Sequence, residues 1–254
     1  KQKTAYEIGV RLVGSEMCIR DRDNSHKYII PDLIGFGFSD KIKLNEHSLE
    51  AHSKWMAEFF LSIKEEKIGL VVHDWGGMIG IAGAMKAGKK IDGLVVMNTA
   101  ITAPKDGFKP TWFHSLSQMP IISNLLFRGL NFPLSFLHRF ANTPESFDQK
   151  AMKAYKYPFR NFKDNCGPLA LARMVPNSMH HPSVPLEQEI EEYLKEYNGP
   201  AQIVWGMNDP VMWKLRRRTS RLLPQAKVVK TTAGHFVQEE TPDEVIAAIN
   251  KVFK

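Results

Sequence analysis

Leu70–Gly80 reads LVVHDWGGMIG, and it holds the first residue of this chain whose type and setting suit chemistry. A short apolar run ends at Asp74, and Gly76 and Gly77 then open a helical pattern. A sharp strand-to-helix turn of this kind exposes its central side chain, and the two glycines let the turn close and the helix pack against the strand. With Asp at that point, the exposed group is a carboxylate. It can attack an electrophilic carbon and form an ester, which water then hydrolyses. The plainer role for Asp74 is that of a helix N-cap.

Two later segments supply partners. Trp205–Pro210 (WGMNDP) places Asp209 in the loop after one apolar run, and Ala233–Phe236 (AGHF) places His235 after the next. If these runs are parallel strands, both loops leave the same carboxyl edge as Asp74. His235 would activate the hydrolytic water, and Asp209 would orient the imidazole and stabilise it once protonated. Taken singly, Asp209 is a turn residue before Pro210 and His235 a surface histidine. Taken in the order nucleophile, acid, histidine, the three form a triad.

The elements that must position them follow from the pattern. Lys27–Pro31, Gly69–Val72, Gly93–Met97, Ala201–Trp205 and Lys227–Lys230 are strand candidates. Their apolar runs are continuous rather than alternating, which implies strands covered on both faces. His47–Lys64, Met78–Lys86 and Asp243–Phe253 have helical spacing. Thr111–Tyr197 has helical periodicity, many aromatics and no strand pattern. A helical insert between two strands of a parallel sheet would roof the site at their carboxyl ends. The expected division is residues 23–106 and 199–254 as an α/β core, with residues 107–198 as a helical cap.

Composition bounds the function. The 254 residues, 43% hydrophobic and 24% charged, suit an ordinary globular chain. Lys+Arg 34 against Asp+Glu 27 leaves a net charge of +7. The longest basic cluster, Lys214–Arg218 with Arg221, lacks the interleaved aromatics of a nucleic-acid groove and is expected to be a solvated helix face. The two cysteines, Cys18 and Cys166, exclude a disulfide framework and suit a reducing, cytoplasmic setting. No apolar run approaches the ~18 residues of a membrane span. His180 and His181 precede Pro182 with no cysteine or spaced carboxylate pair, so a turn is expected there rather than a metal site. A small-molecule substrate is expected, with no cofactor, metal, nucleic acid or membrane partner.

Together HDWGG, PDLIGFGFSD, WGMNDP and AGHFVQEE resemble the haloalkane dehalogenases and their close relatives in the α/β-hydrolase fold. The resemblance runs over essentially all of Asp23–Lys254 and includes the cap stretch AYKYPF at Ala154–Phe159. It implies that Asp74 is the nucleophile, Asp209 the acid and His235 the base. It also implies that the Trp75 indole N–H stabilises a leaving halide and that its backbone N–H belongs to the oxyanion hole. Asp74 excludes the serine hydrolases of this fold, and Trp75 disfavours the fluoroacetate type, which carries Arg there. One dehalogenase subgroup places its acid after the third strand. That position is Asn98, in MNTA, so Asp209 is the better acid and the subgroup containing β-lactone decarboxylases is the nearest. Trp112 is a candidate for a second halide donor.

The family's HG-x-P loop is missing, because none of the nine His is followed by Gly. In relatives that loop precedes the PDLIGFG segment by ~25 residues, which here falls on Tyr6–Arg22 (YEIGVRLVGSEMCIRDR). This stretch has no clean period and no turn chemistry, and it resembles a translated sequencing-adaptor fragment. Residues 1–22 are therefore expected to be non-native, with the first strands, the second oxyanion donor and folding competence affected. The leading function is hydrolysis of haloalkanes to alcohols. The alternatives are an epoxide hydrolase using Tyr155 and Tyr157, a β-lactone decarboxylase, and an inactive truncated fragment.

Overall fold

The computed structural model describes residues 27–139 and 149–254, apart from the side chains of 137–139 and 149–151. Tyr6–Arg22, with Cys18, lies outside the described residues. Four apolar runs become strands: β1 (Lys67–His73), β2 (Lys90–Met97), β3 (Ala201–Gly206) and β4 (Lys227–Thr231). They form one parallel sheet in the order β1-β2-β3-β4. Every residue of β3 is buried, as is Gly93–Met97 of β2, which requires cover on both faces.

Side chains of successive strand residues point to opposite faces, and the two cores divide accordingly. Leu94, Val96, Ile203 and Trp205 belong to a core shared with α1 (Leu49–Leu61) and α2 (Trp75–Lys86). Val95, Met97 and Val204 pack on the other face with Val245, Ala248, Ile249 and Val252. Those four residues come from α11 (Pro242–Val252), the last helix.

Between β2 and β3 the described residues form helices and no strand, as the texture of Thr111–Tyr197 suggests. The helices are α3 (Trp112–Ser117), α4 (Pro120–Ser123), α5 (Phe132–Arg139), α6 (Gln149–Lys156), α7 (Cys166–Met174) and α8 (Val184–Glu196). Phe113, Phe127, Leu169 and Ala172 give this region a small core of its own. Helix α7 also reaches the main core through Leu171 and Met174, and helix α8 does so through Ile190 and Leu194. Helices α9 (Arg216–Leu222) and α10 (Val237–Glu240) follow β3 and β4. Among the described residues no helix is long and apolar enough to cross a membrane.

Several expectations need correction. Among the described residues Lys27–Pro31 is not a strand, and Ile29 and Ile30 are exposed. Its apolar run is real, but an apolar run alone does not make a strand, and Pro31 has no N–H to offer a ladder. The helix after the elbow begins at Trp75 rather than Met78. The basic cluster is only partly a solvated face. Arg218 lies 3.8 Å from Glu191 and donates to the Ala103 carbonyl, tying α9 to α8 and to the chain leaving β2. His180–Pro182 is a turn, and there the Ser183 amide donates to His181 Nδ1 at 3.2 Å.

Candidate active site

The parallel register brings the strand ends together, with His73 opposite Met97, Met97 opposite Val204 and Gly206 opposite Thr231. Asp74, Asn98, Asp209 and His235 all follow these ends. At Asp74 the backbone turns through φ 47° and ψ −130°, in the left-handed half of φ that a non-glycine residue adopts only under constraint. Three contacts impose it. The Asp74 amide donates to the Asn98 carbonyl at 3.1 Å, and the Asp74 carbonyl accepts from the Gly77 amide and the Thr99 hydroxyl. The turn also explains Gly77, where a Cβ would sit 2.1 Å from Thr99 Oγ1. Gly76 is different: a Cβ there meets nothing within 4 Å, so close packing does not account for it.

Asp74 occupies the N-cap position of α2, yet its side chain makes no capping hydrogen bond. The plain capping role is thereby removed. Its carboxylate accepts from no described residue and stays partly open to solvent. Trp75, the first residue of α2, is half-buried beside the main core, and its indole N–H has no partner among the described residues.

Asp209 and His235 meet directly. His235 Nδ1 donates to Asp209 Oδ2 at 2.8 Å, and both side chains are buried. The same Oδ2 accepts from Asn98 Nδ2 at 2.8 Å, while Oδ1 accepts the amides of Val211 and Met212 at 2.8 and 3.0 Å. Burial alone would raise the Asp209 pKa, but His235 and these donors outweigh it and hold the carboxyl far below its ordinary value. Burial likewise pulls the imidazole of His235 down. Asp209 and, more weakly, Asp74 and Glu240 offset this and push it up to about 9.

Sequence reasoning overlooked three residues. Asn98 entered only as a missing acid, whereas its side chain bridges two loops. Its Nδ2 reaches Asp209 and the Gly206 carbonyl, and its Oδ1 accepts the Gly206 amide at 2.8 Å. Its full burial is not legible in the sequence, where an Asn after an apolar strand looks like a turn residue. His73 precedes the elbow and bonds the backbone of His235 at 2.8 Å. His114 of α3 feels the charge of Asp74, although burial takes its pKa down to about 4, and its Nδ1 lies 2.8 Å from the Thr111 hydroxyl. Trp112, by contrast, is 61% exposed, with its ring edge-on to Phe136. An indole in water is a poor halide donor.

Tyr155 and Tyr157 also separate. The Tyr155 hydroxyl donates to Glu239 Oε1 at 2.7 Å, fastening α6 to α10, and its ring packs on Phe236. Tyr157 is exposed beside Phe38.

The family whose description is alpha/beta hydrolase fold matches residues 19–242. Haloalkane dehalogenase 1 of Mycobacterium tuberculosis is 29% identical over 224 residues, covering 87% of this chain and 72% of the relative. A cis-3-alkyl-4-alkyloxetan-2-one decarboxylase of Shewanella oneidensis is 28% identical over 232 residues, covering 89% and 73%. Among solved structures, the haloalkane dehalogenase DpaA from Paraglaciecola agarilytica superposes with a TM-score of 0.73 at 25% identity, covering 88% of this chain and 73% of that one. The dehalogenase DatA from Agrobacterium tumefaciens gives 0.74 at 19% identity, with 86% and 77% covered. With its parallel sheet, its strained elbow and a match over most of its length, this chain belongs to the alpha/beta hydrolase fold family.

Proposed function

We propose that this protein hydrolyses haloalkanes to alcohols and halide through an aspartyl ester on Asp74. The observation that carries the reading is an unbonded carboxylate at the strained elbow, beside a buried Asp–His pair. In the first step an Asp74 oxygen bonds to the halogen-bearing carbon, the carbon–halogen bond breaks, and the halide leaves toward the indole N–H of Trp75. In the second, His235 takes a proton from water, whose oxygen attacks the Asp74 carboxyl carbon. The Trp75 backbone N–H stabilises the oxyanion. Collapse frees the alcohol, which receives one water proton, while the other passes to solvent. Residues 107–198 serve as the cap, with residues 23–106 and 199–254 as the core.

The electrostatics explain the order of events. At rest His235 is held cationic, in part by the charge of Asp74. Ester formation neutralises Asp74 and removes one of the charges that raise the imidazole. The His235 imidazolium therefore releases its proton to solvent more readily once the ester has formed, leaving the neutral imidazole that can take a proton from the attacking water.

A β-lactone substrate is the second reading, favoured by the oxetanone decarboxylase among the relatives. An epoxide substrate loses support, because the hydroxyl expected to protonate the opening oxygen is already given by Tyr155 to Glu239. The test is a panel of 1-bromobutane, a terminal epoxide and a β-lactone. It is paired with mass spectrometry of a His235→Phe variant. Halide release, with a butyl adduct accumulating on the Asp74 peptide, is the expected result. Turnover of the lactone alone would move the assignment to the second reading, and an adduct on another residue would defeat the nucleophile.

A further inference from the structure

His73 is the last residue of β1, and its imidazole lies against that of His235, with ring centroids 4.9 Å apart and planes at 54°. Its Nε2 is 2.8 Å from the His235 carbonyl oxygen. A carbonyl only accepts, so the proton of that bond sits on His73 Nε2. The bond spans 162 residues and joins the residue before the elbow to the backbone of the residue whose side chain faces Asp209.

We propose that His73 is a positioning residue. It remains neutral, donates Nε2–H to the His235 carbonyl, and so fixes the backbone of the histidine loop against the elbow. Once that carbonyl is pinned, His235 keeps Nδ1 on Asp209 and its ring in one orientation. The inference deepens the proposed mechanism and rests on it, because the step it serves is hydrolysis of the Asp74 ester.

The charges around the pair agree with this arrangement. His235 is raised by Asp209, Asp74 and Glu240 against its burial. His73 is pulled down to about 4, first by burial and then by the positive charge of His235; Asp74, Asp209 and the bond to the His235 carbonyl only partly oppose this. Two imidazoles this close are not both cations at neutral pH. His235 takes the charge because it has Asp209, and His73 is left as a neutral donor with one fixed tautomer. A leucine would fill much of the same space but could not hold the carbonyl. A glutamine retains an N–H at the end of a flexible side chain.

The first test is nitrogen-15 NMR of the full chain with labelled histidine, which needs no variant and no substrate. From pH about 5 upward His73 is expected as the neutral Nε2–H tautomer. A cationic His73, or an Nδ1–H tautomer, overturns the proposal. The second test follows the His235 titration in His73→Leu and His73→Gln, each checked for a cooperative melt. In His73→Leu the His235 pKa should fall from about 9 toward the ordinary 6.5, as the imidazole loses its fixed contact with Asp209, whereas His73→Gln should retain most of the elevation. Equal titrations in parent and both variants would overturn it.

The kinetic arm separates this idea from the mechanism beneath it. Small displacements of a catalytic group cost up to ~10²-fold in rate. Ester hydrolysis in His73→Leu should slow by about that factor, with halide burst retained and a butyl adduct building up on Asp74, and His73→Gln should restore turnover. If His235→Phe forms no adduct, the proposed function fails while the NMR result still decides the role of His73. If His235→Phe traps the ester but His73→Leu turns over like the parent, His73 is ordinary packing.

Discussion

At the end of β1 the Asp74 carboxylate accepts no hydrogen bond from any described residue, while Asp209, beyond β3, accepts four. One carboxylate sits on a strained backbone and is left open. The other is buried and saturated by His235, Asn98 and two amides. A nucleophile must exchange partners during the reaction, so every bond it makes at rest would have to be broken first. An acid that orients an imidazole must not move at all. The same side chain is used in both places, and the surrounding donors set the difference.

The hardest way to break the contrast is to remove the open carboxylate. Asp74→Ala should lower halide release from 1-bromobutane on the order of 10⁶-fold, as when a nucleophile is deleted from a triad. Its melting temperature should change little, because the carboxylate accepts no hydrogen bond from any described residue and contributes only part of the charge that holds His235. Asp74→Gly should be as inactive but more stable by ~1 kcal/mol in denaturant titration, since glycine adopts positive φ without cost. A loss of stability in Asp74→Gly would show that the turn is not strained.

Asp209→Asn acts on the saturated side. It should reduce turnover ~10⁴-fold, as when the acid of a triad is neutralised and the wrong imidazole tautomer results. It also carries a pH signature. The His235 pKa is raised from 6.5 to about 9, so its contribution to stability is complete below about 6.5 and is lost as pH climbs through 9. The lowered pKa of Asp209 works in the opposite sense, contributing above its ordinary 3.8 and fading in stronger acid. Folding stability measured by denaturant should therefore fall from pH 6.5 to 9 in the parent, and that slope should flatten in Asp209→Asn.

Asn98→Ala sharpens the comparison further by leaving both carboxylates in place. It deprives Asp209 of one donor and the backbone of Gly206 of two bonds. A buried loss of this kind costs ~1–3 kcal/mol, readable by chemical denaturation. The smallest effect is expected from Tyr155→Phe, which removes only the hydroxyl bonded to Glu239. It should cost about 1 kcal/mol and leave halide release nearly unchanged. A large drop in turnover would reopen a chemical role for that phenol.

What the sequence made readable, and what it hid, follow the same division. Asp74, Asp209 and His235 stand out because each ends a strand run in a loop with glycine or proline, and such punctuation survives in one dimension. The four paired strands stand out because burial on both faces leaves unbroken apolar runs. Lys27–Pro31 is a similar apolar run yet no strand among the described residues, since a strand is a relation between two segments and one segment cannot display it. Asn98 and His73 were invisible for a related reason. Their work is done through partners 108 and 162 residues away, and no local pattern marks a side chain that holds a distant backbone. Gly76 misled in the other direction, because a glycine pair suggested tight packing that only Gly77 requires.

Strand β3 slots beside β2 only after more than a hundred intervening residues have been made, as the Asn98–Gly206 bond across 108 positions shows. Such a separation adds little to the equilibrium cost of closing the chain, only ~0.6 kcal/mol per doubling of length, but it slows the search for the right partner. On the ribosome, β1, β2 and the strained turn emerge before β3 and wait with a bare β2 edge. The acid and the base arrive only after β3 and β4, respectively, have been made. Chains released before Ala201–Gly206 emerges would carry the reactive aspartate beside an unpaired β2 edge, and they are the ones most exposed to aggregation and proteolysis.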